Sequence, residues 1–323
     1  MLFSDLVLTS TCPPTPLTLA WLTDYGTQDP YAGMLQGVAL ARLTPQARYQ
    51  TTLWNVTHHI PSFHIQQGAF VLQQTLPYAP THTVFVCIVD PAVGSAHQAQ
   101  LVAYRPSWQQ VFIAPDNGLL NGLHLAYNDV QYYHVRPETL PRWAWPYPPE
   151  ARVGSTFAGR DLYTPLACSL LNHWVSEGVT PTSFAYWADQ YLSPLAAHQL
   201  APVQGPLPLP KREQGAGFTT YHCHIQYIDT FGNLVTTLPN HWLDESLTSL
   251  SLCTADGEES LALQYTYLAN DTHPEHPAFM AIWGSHGYIE LAVPQGSAKA
   301  VFELRHGSTA WGSALLFTAH SGM

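Results

Sequence analysis

The sequence predicts a two-part chain, an N-terminal layered α/β domain with a mostly parallel sheet and a C-terminal all-β, barrel-like domain. Three observations carry that reading. Val84 to Val89 is an unbroken β-branched and apolar run, the pattern of a strand buried on both faces of a parallel sheet. Strand-like and helix-like segments alternate through the first half of the chain. Beyond residue 217 the helical periodicity gives way to short alternating strands with turn signals between them.

The first sixteen residues are rich in proline and threonine and suit a loose arm. Leu17 to Leu22 is a short apolar strand that ends at Thr23-Asp24-Tyr25-Gly26. From Pro30 to Leu43, Tyr31, Met34, Leu35, Val38 and Ala41 recur at helical spacing, with Gln36 and Arg42 off that face. Thr52 to Val56 is a second strand, Gln66 to Leu76 a second helix and Val84 to Val89 the third strand. Gln100 to Tyr104 and Gln110 to Ala114 read as paired strands, the latter running into a turn-to-helix transition at Pro115 to Leu120. Residues 137–154 are crowded with proline and tryptophan, an irregular loop. Ser155 to Asp161 then opens a helix carrying Leu166, Ala167, Leu170 and Leu171. The proline- and glycine-rich stretch 195–217 has linker composition, separating domains 1–194 and 218–323. Thr219 to Ile228, Ser249 to Cys253, Leu261 to Tyr267 and Gly287 to Val293 are the strands of the second domain.

Composition narrows the function. Hydrophobic residues make up 46% of the chain and charged ones 10%, a globular balance. A formal charge of −11 leaves no basic footprint for nucleic acid or an anionic membrane. The five cysteines (Cys12, Cys87, Cys168, Cys223, Cys253) are scattered and never form a CxxC pair. That pattern points to reduced thiols in a cytoplasmic protein, not to a disulfide framework or a zinc site. No signal peptide or membrane-spanning run is expected. His222 and His224 share a strand face, but two ligands without a third are a surface feature sooner than a metal site.

Two carboxylates stand at strand ends, Asp24 and Asp90. Alone, either could cap a turn, but the carboxyl ends of parallel strands are where open α/β sheets hold ligands.

Seven stretches, in order, resemble the S-adenosylmethionine (SAM) hydroxide adenosyltransferases, relatives of the fluorinase and chlorinase enzymes. They are residues 23–26 (Thr-Asp-Tyr-Gly), 56–61 (Val-Thr-His-His-Ile-Pro), 89–94 (Val-Asp-Pro-Ala-Val-Gly), 114–120 (Ala-Pro-Asp-Asn-Gly-Leu-Leu), 155–161 (Ser-Thr-Phe-Ala-Gly-Arg-Asp), 228–233 (Ile-Asp-Thr-Phe-Gly-Asn) and 285–290 (Ser-His-Gly-Tyr-Ile-Glu). The resemblance spans about residues 18–300. It implies an α/β domain followed by a β-barrel, a homotrimer with interfacial active sites, and displacement at C5′ of SAM with release of methionine. SAM is then the substrate and no cofactor is needed. Water as nucleophile gives adenosine, whereas halide gives a 5′-halo-5′-deoxyadenosine. The resemblance assigns Asp24 to the ribose hydroxyls, Phe63 and Phe157 to the walls around the reacting carbon, and Gly159 to the same substrate-binding stretch. It assigns Phe231 and Asn233 to adenine, Asp229 to the methionine ammonium and Ser285 to its carboxylate.

The chain departs from the family at the nucleophile. The hydrolases carry an Asp-Arg-His trio about the water. Here those positions are Asp90, His97 and Ala158, so two of three differ. Asp90 with His97 is the expected catalytic pair, Asp90 as base and His97 orienting the water. The rivals are a chlorinase-like halogenase, with Ala158 leaving room for chloride, and a catalytically silent SAM-binding protein. Halogenases have tyrosine where Asp90 lies, and a carboxylate there would repel halide. Arg105 to Gln110 is also too short for the fluorinase insertion.

Overall fold

The computed structural model describes residues 15–95, 99–140, 156–203, 205–254, 257–267, 279–307 and 309–320. The N-terminal arm, most of the 137–154 loop, Ser155 and His97 lie outside them. The chain divides into two compact units, residues 1–204 and 205–323.

The first unit is built on a seven-stranded sheet. Its strands are β1 (Leu17–Thr23), β2 (Thr51–Thr57), β3 (Thr83–Ile88), β4 (Gln100–Arg105), β5 (Gln110–Pro115), β6 (Gln131–Val135) and β7 (Leu192–Leu195), in the order β2-β1-β3-β5-β4-β6-β7. β2, β1, β3 and β5 are mutually parallel, and the antiparallel pairings of β4, β6 and β7 complete the edge. The expected pairing of β4 with β5 is antiparallel, running from Gln100 opposite Pro115 to Arg105 opposite Gln110.

The helices are α1 (Tyr31–Arg42), α2 (Pro45–Gln50), α3 (Ile65–Thr75), α4 (Leu123–Ala126), α5 (Thr164–Glu177) and α6 (Pro181–Tyr191). Alternate residues of each central strand enter opposite cores. Trp21, Val86, Ile88 and Ile113 pack with Leu35 of α1, Leu166 and Leu170 of α5, and Trp187 of α6. Leu22, Phe85, Cys87 and Phe112 pack with Ile65 and Leu72 of α3 and with Leu119 and Leu120. Covering both faces is why these strands read as continuous apolar runs without polar alternation.

Chain order reverses around β1, which has β2 on one side and β3 on the other. The register sets Thr23 opposite Ile88. Asp24 and Asp90 therefore follow the carboxyl ends of neighbouring parallel strands at the switch point, where a crevice opens outside the sheet.

The second unit is a seven-stranded barrel with one further strand added outside it. Its strands are β8 (Lys211–Gln214), β9 (Phe218–Ile228), β10 (Leu234–Pro239), β11 (Ser249–Thr254), β12 (Gly257–Gln264), β13 (Met280–Trp283), β14 (Tyr288–Ala292) and β15 (Ala314–His320), with α7 (Ala298–His306) between the last two. The order β10-β14-β13-β12-β11-β15-β9 closes through the pairing of β9 with β10, and β8 adds outside on β9. Closure leaves the barrel strands no open edge, and Tyr221, Ile225, Leu234, Leu261, Ile289 and Phe317 fill the interior.

Some sequence expectations shift. The boundary between the two units falls within residues 195–217, and parts of that stretch are docked. Ala201 donates its N–H to Asp116 at 3.0 Å and accepts the Asn121 amide at 2.9 Å, and Lys211–Gln214 forms β8. Prolines fix extended backbone, which serves docked chain as well as linker. The turn after Pro115 leads only to the four-residue α4. The helix expected from residue 155 begins instead with a π-helical turn at Gly159–Tyr163.

Candidate active site

The end of β1 is pinned from the side. The Thr23 hydroxyl lies 2.8 Å from His58 Nδ1 and accepts the Tyr25 N–H at 3.2 Å. The Gly26 N–H donates to the His58 carbonyl. His58 is buried, and desolvation lowers its pKa, so it serves as a neutral structural bridge. Asp24, held by this turn, accepts the Phe63 N–H on Oδ2 at 2.9 Å. Phe63 sits at φ 69°, in the left-handed region, with 68% of its surface exposed. Burial raises the Asp24 pKa, against the lowering effect of the Phe63 N–H.

At the end of β3, Asn117 donates its amide to the Val89 carbonyl at 2.8 Å. Asp90 follows half-buried, with Oδ1 accepting the Ala92 N–H at 3.2 Å. Two phenols feel its charge. Tyr25 and Tyr163 both have pKa values pushed up, first by burial and then by neighbouring charges that include Asp90. Both rings are neutral donors at physiological pH.

Asp24, Phe63, Asp90, Phe157 and Ala158 share one cleft of about 550 Å³ with Tyr25, Tyr31, Met34 and Arg160. Phe157 meets Tyr25 and Tyr31 edge-on, with centroids 5.5 and 5.3 Å apart. The buried Arg160 guanidinium lies 5.1 Å from the Phe157 ring and pairs with Asp161 at 2.6 Å. Gly159 packs behind this wall. A Cβ there would meet the Tyr25 hydroxyl at 2.7 Å and Ile88 Cδ1 at 2.9 Å, so close packing of the π-turn on β3 requires glycine.

In the barrel, Asp229 organises the turn after β9. Its Oδ1 accepts the N–H groups of Phe231 (2.9 Å) and Asn233 (2.8 Å), and Oδ2 accepts the Asn233 amide at 2.9 Å. The result holds Asn233 buried and leaves Phe231 78% exposed. Gly232 has φ 83°, and a Cβ on it would lie 2.1 Å from Ser297 Oγ, the N-cap of α7. Ser285 is exposed on the turn between β13 and β14. Beside it, His286 Nδ1 lies 3.0 Å from Glu290, which also accepts the Tyr267 hydroxyl at 2.8 Å. Glu290 is 1% exposed.

Of the residues predicted from sequence, Asp24, Phe63, Asp90 and Phe157 thus line one cleft, while Gly159 supports its wall. Asp229, Phe231 and Asn233 form a single turn of the second unit. Asp229 is already committed to three donors of its own turn, a role its motif spacing did not disclose. Tyr25, Tyr31, Arg160 and Tyr163 were not anticipated. Tyr25 and Arg160 lie inside quoted motifs, Tyr163 follows one by two residues, and Tyr31 opens α1, where helical spacing marked it only as part of an apolar face. His222 lies 3.5 Å from Glu213 on the surface, and no metal-ligating group of three or more occurs among the described residues. No helix among them is long and apolar enough to cross a membrane.

The structure is thus a mostly parallel α/β sheet with two carboxylates at its switch point, followed by a closed barrel, and comparison with known proteins supplies the family. Residues 19–179 match the SAM hydroxide adenosyltransferase N-terminal domain and residues 223–311 its C-terminal domain. The chain belongs to this family. It is 29% identical over 293 residues to the (R)-S-adenosyl-L-methionine hydrolase of Thermus thermophilus, covering 89% of this chain and 96% of the relative. It is 33% identical over 222 residues to the Salinispora tropica protein of the same name, covering 68% and 71%. An uncharacterised conserved protein of Thermotoga maritima shares the fold, with TM-score 0.68 and 21% identity over 93% of this chain and 99% of that one.

Proposed function

We propose that this protein hydrolyses SAM to adenosine and L-methionine by displacement at C5′. The observation that carries the proposal is the Asp90 carboxylate at the end of β3, on a cleft it shares with Asp24 and an aromatic wall. The relatives' names support the same reading. A water oxygen forms the new bond to C5′ while the C5′–S pair moves to sulfur. The leaving group is a neutral thioether and needs no acid. The water proton passes to Asp90, the general base. The sulfonium is a cation, and the aromatic residues Tyr25, Tyr31 and Phe157 line the cleft proposed to hold it. Attack by a nucleophile with anionic character on a cation disperses charge, so an apolar wall favours the transition state.

Asp24, with Oδ2 given to Phe63, presents Oδ1 to the ribose hydroxyls. On the barrel, Phe231 stacks on adenine, Asn233 hydrogen-bonds it, and Asp229 and Ser285 take the methionine ammonium and carboxylate. SAM is a substrate here, and the reaction asks for no cofactor. A homotrimer acting in the cytoplasm belongs to the same proposal, and light scattering checks the trimer. Chromatography after incubation with SAM, with and without chloride or bromide, tests the chemistry. Adenosine and methionine are expected; a halo-nucleoside would make the protein a halogenase, and unchanged SAM a binder.

A further inference from the structure

Asp90 and Ala158 face two cavities. Besides the substrate cleft, they line a smaller space of about 270 Å³ with Gly94, Ser95, Gln100, Asp161, Leu162 and Tyr163. Its inner wall is the buried Tyr163 and half-buried Ala158, whereas Gly94, Ser95 and Asp161 at its rim are exposed. We propose that this space is a water chamber that feeds the nucleophile to Asp90 and drains the proton from it. The inference rests on the hydrolase reading.

The chemistry requires both services. Each turnover consumes one water and releases one proton: SAM⁺ and H₂O give adenosine, methionine and H⁺. Substrate fills the cleft on one side of Asp90, so bulk water reaches that carboxylate most directly through the second cavity. The lining suits water. The Tyr163 hydroxyl, Gln100 amide and Ser95 hydroxyl are hydrogen-bonding groups, and a space this size holds several waters with polar partners. Asp90 makes it unfavourable to anions, which selects water over halide, while the Asp161 charge is taken up by its pair with Arg160. Ala158 keeps the passage open, since its side chain ends at Cβ. After C5′–O bond formation, Asp90 holds the proton and passes it along the chamber's water to solvent, regenerating the base.

The test fills the chamber without touching the cleft. Leu162→Trp places a large ring from a half-buried wall residue, and Ser95→Phe does so from the exposed rim, where folding is least disturbed. Adenosine formation, KM and calorimetric SAM affinity are measured for each. The expected result is a kcat lower by about tenfold or more, part of the roughly 10²–10⁴ that a general base supplies, with KM and affinity unchanged. Full kcat in a folded variant, or KM rising as kcat falls, overturns the chamber assignment alone. If Leu162→Trp does not fold, Ser95→Phe decides the matter. Wild-type protein that binds SAM but makes no adenosine overturns the hydrolase reading, and the chamber falls with it.

Discussion

The Asp24 carboxylate holds the Phe63 backbone N–H at 2.9 Å and so fixes an aromatic residue in a left-handed conformation at φ 69°. Such backbone costs about 1–3 kcal/mol for a residue other than glycine and persists only where surrounding structure enforces it. Asp24 Oδ2 enforces it. Because burial raises the Asp24 pKa, the contribution of this group to stability is greatest below its ordinary pKa and is lost as the carboxyl ionises. At neutral pH its charge therefore costs stability. Asp24→Asn keeps an acceptor for Phe63 and removes the charge. The melting temperature should hold or rise while calorimetric SAM affinity falls. Unchanged affinity would remove Asp24 from the ribose site.

Asp90 makes the opposite prediction, a loss of rate without a loss of binding. Asp90→Asn retains an acceptor for the Ala92 N–H but cannot take a proton from water. Adenosine formation should fall by about 10²–10⁴ with SAM affinity nearly intact. His97→Arg restores the permanent cation that the family places at this position and should keep or raise the rate. A rate unchanged in Asp90→Asn would leave water to be positioned by other groups.

The central strands and the two carboxylate termini were legible because burial on both sheet faces writes an unbroken apolar run. Val84 to Val89 is the clearest case. Barrel strands such as β13, only four residues long, carry too little alternation to stand out. The site was legible where a motif names the group that acts, as at Asp24 and Asp90. Long-range contacts are not written locally. Tyr163 comes close to Asp90 only through the π-turn, and Glu290 acts on Tyr267 across 23 positions of chain. The Asp229 turn shows the same limit, since spacing marks the carboxylate but not the three donors it serves.

Gly232 is a point where the barrel turn has no alternative residue. Its φ of 83° suits glycine, and a Cβ would press against Ser297, which caps α7 by accepting the Ala300 N–H at 3.2 Å. Gly232→Ala should destabilise the chain by about 1–3 kcal/mol through strain and a displaced cap. Urea denaturation measures the loss. Because Phe231 is displayed by this turn, SAM affinity should fall as well, and a variant with native stability and affinity would refute the constraint.

The His286–Glu290 pair gives the barrel a pH dependence whose sign can be worked out. Glu290 is almost wholly buried and hydrogen-bonded to His286 at 3.0 Å, while Asp229 adds negative charge and the Tyr267 hydroxyl donates to the other Glu290 oxygen. The hydrogen bond to Glu290 is the main cause that raises the His286 pKa above 6.5; burial opposes it, and the charges of Glu290 and Asp229 reinforce it. A histidine whose pKa is raised on folding stabilises the folded state fully below its unfolded value. That contribution disappears as pH climbs through the folded value. Denaturant stability of the intact protein should therefore decline as pH rises from 6.5 through the raised pKa, on top of whatever other groups contribute. In Glu290→Gln the pair loses its charge, so this part of the slope should vanish and the His286 ring resonances should titrate closer to 6.5 by NMR. Tyr267→Phe provides the control, since it removes one donor to Glu290 but leaves the carboxylate, and should preserve the slope. Identical pH profiles for wild type and Glu290→Gln would show that Glu290 does not raise the His286 pKa.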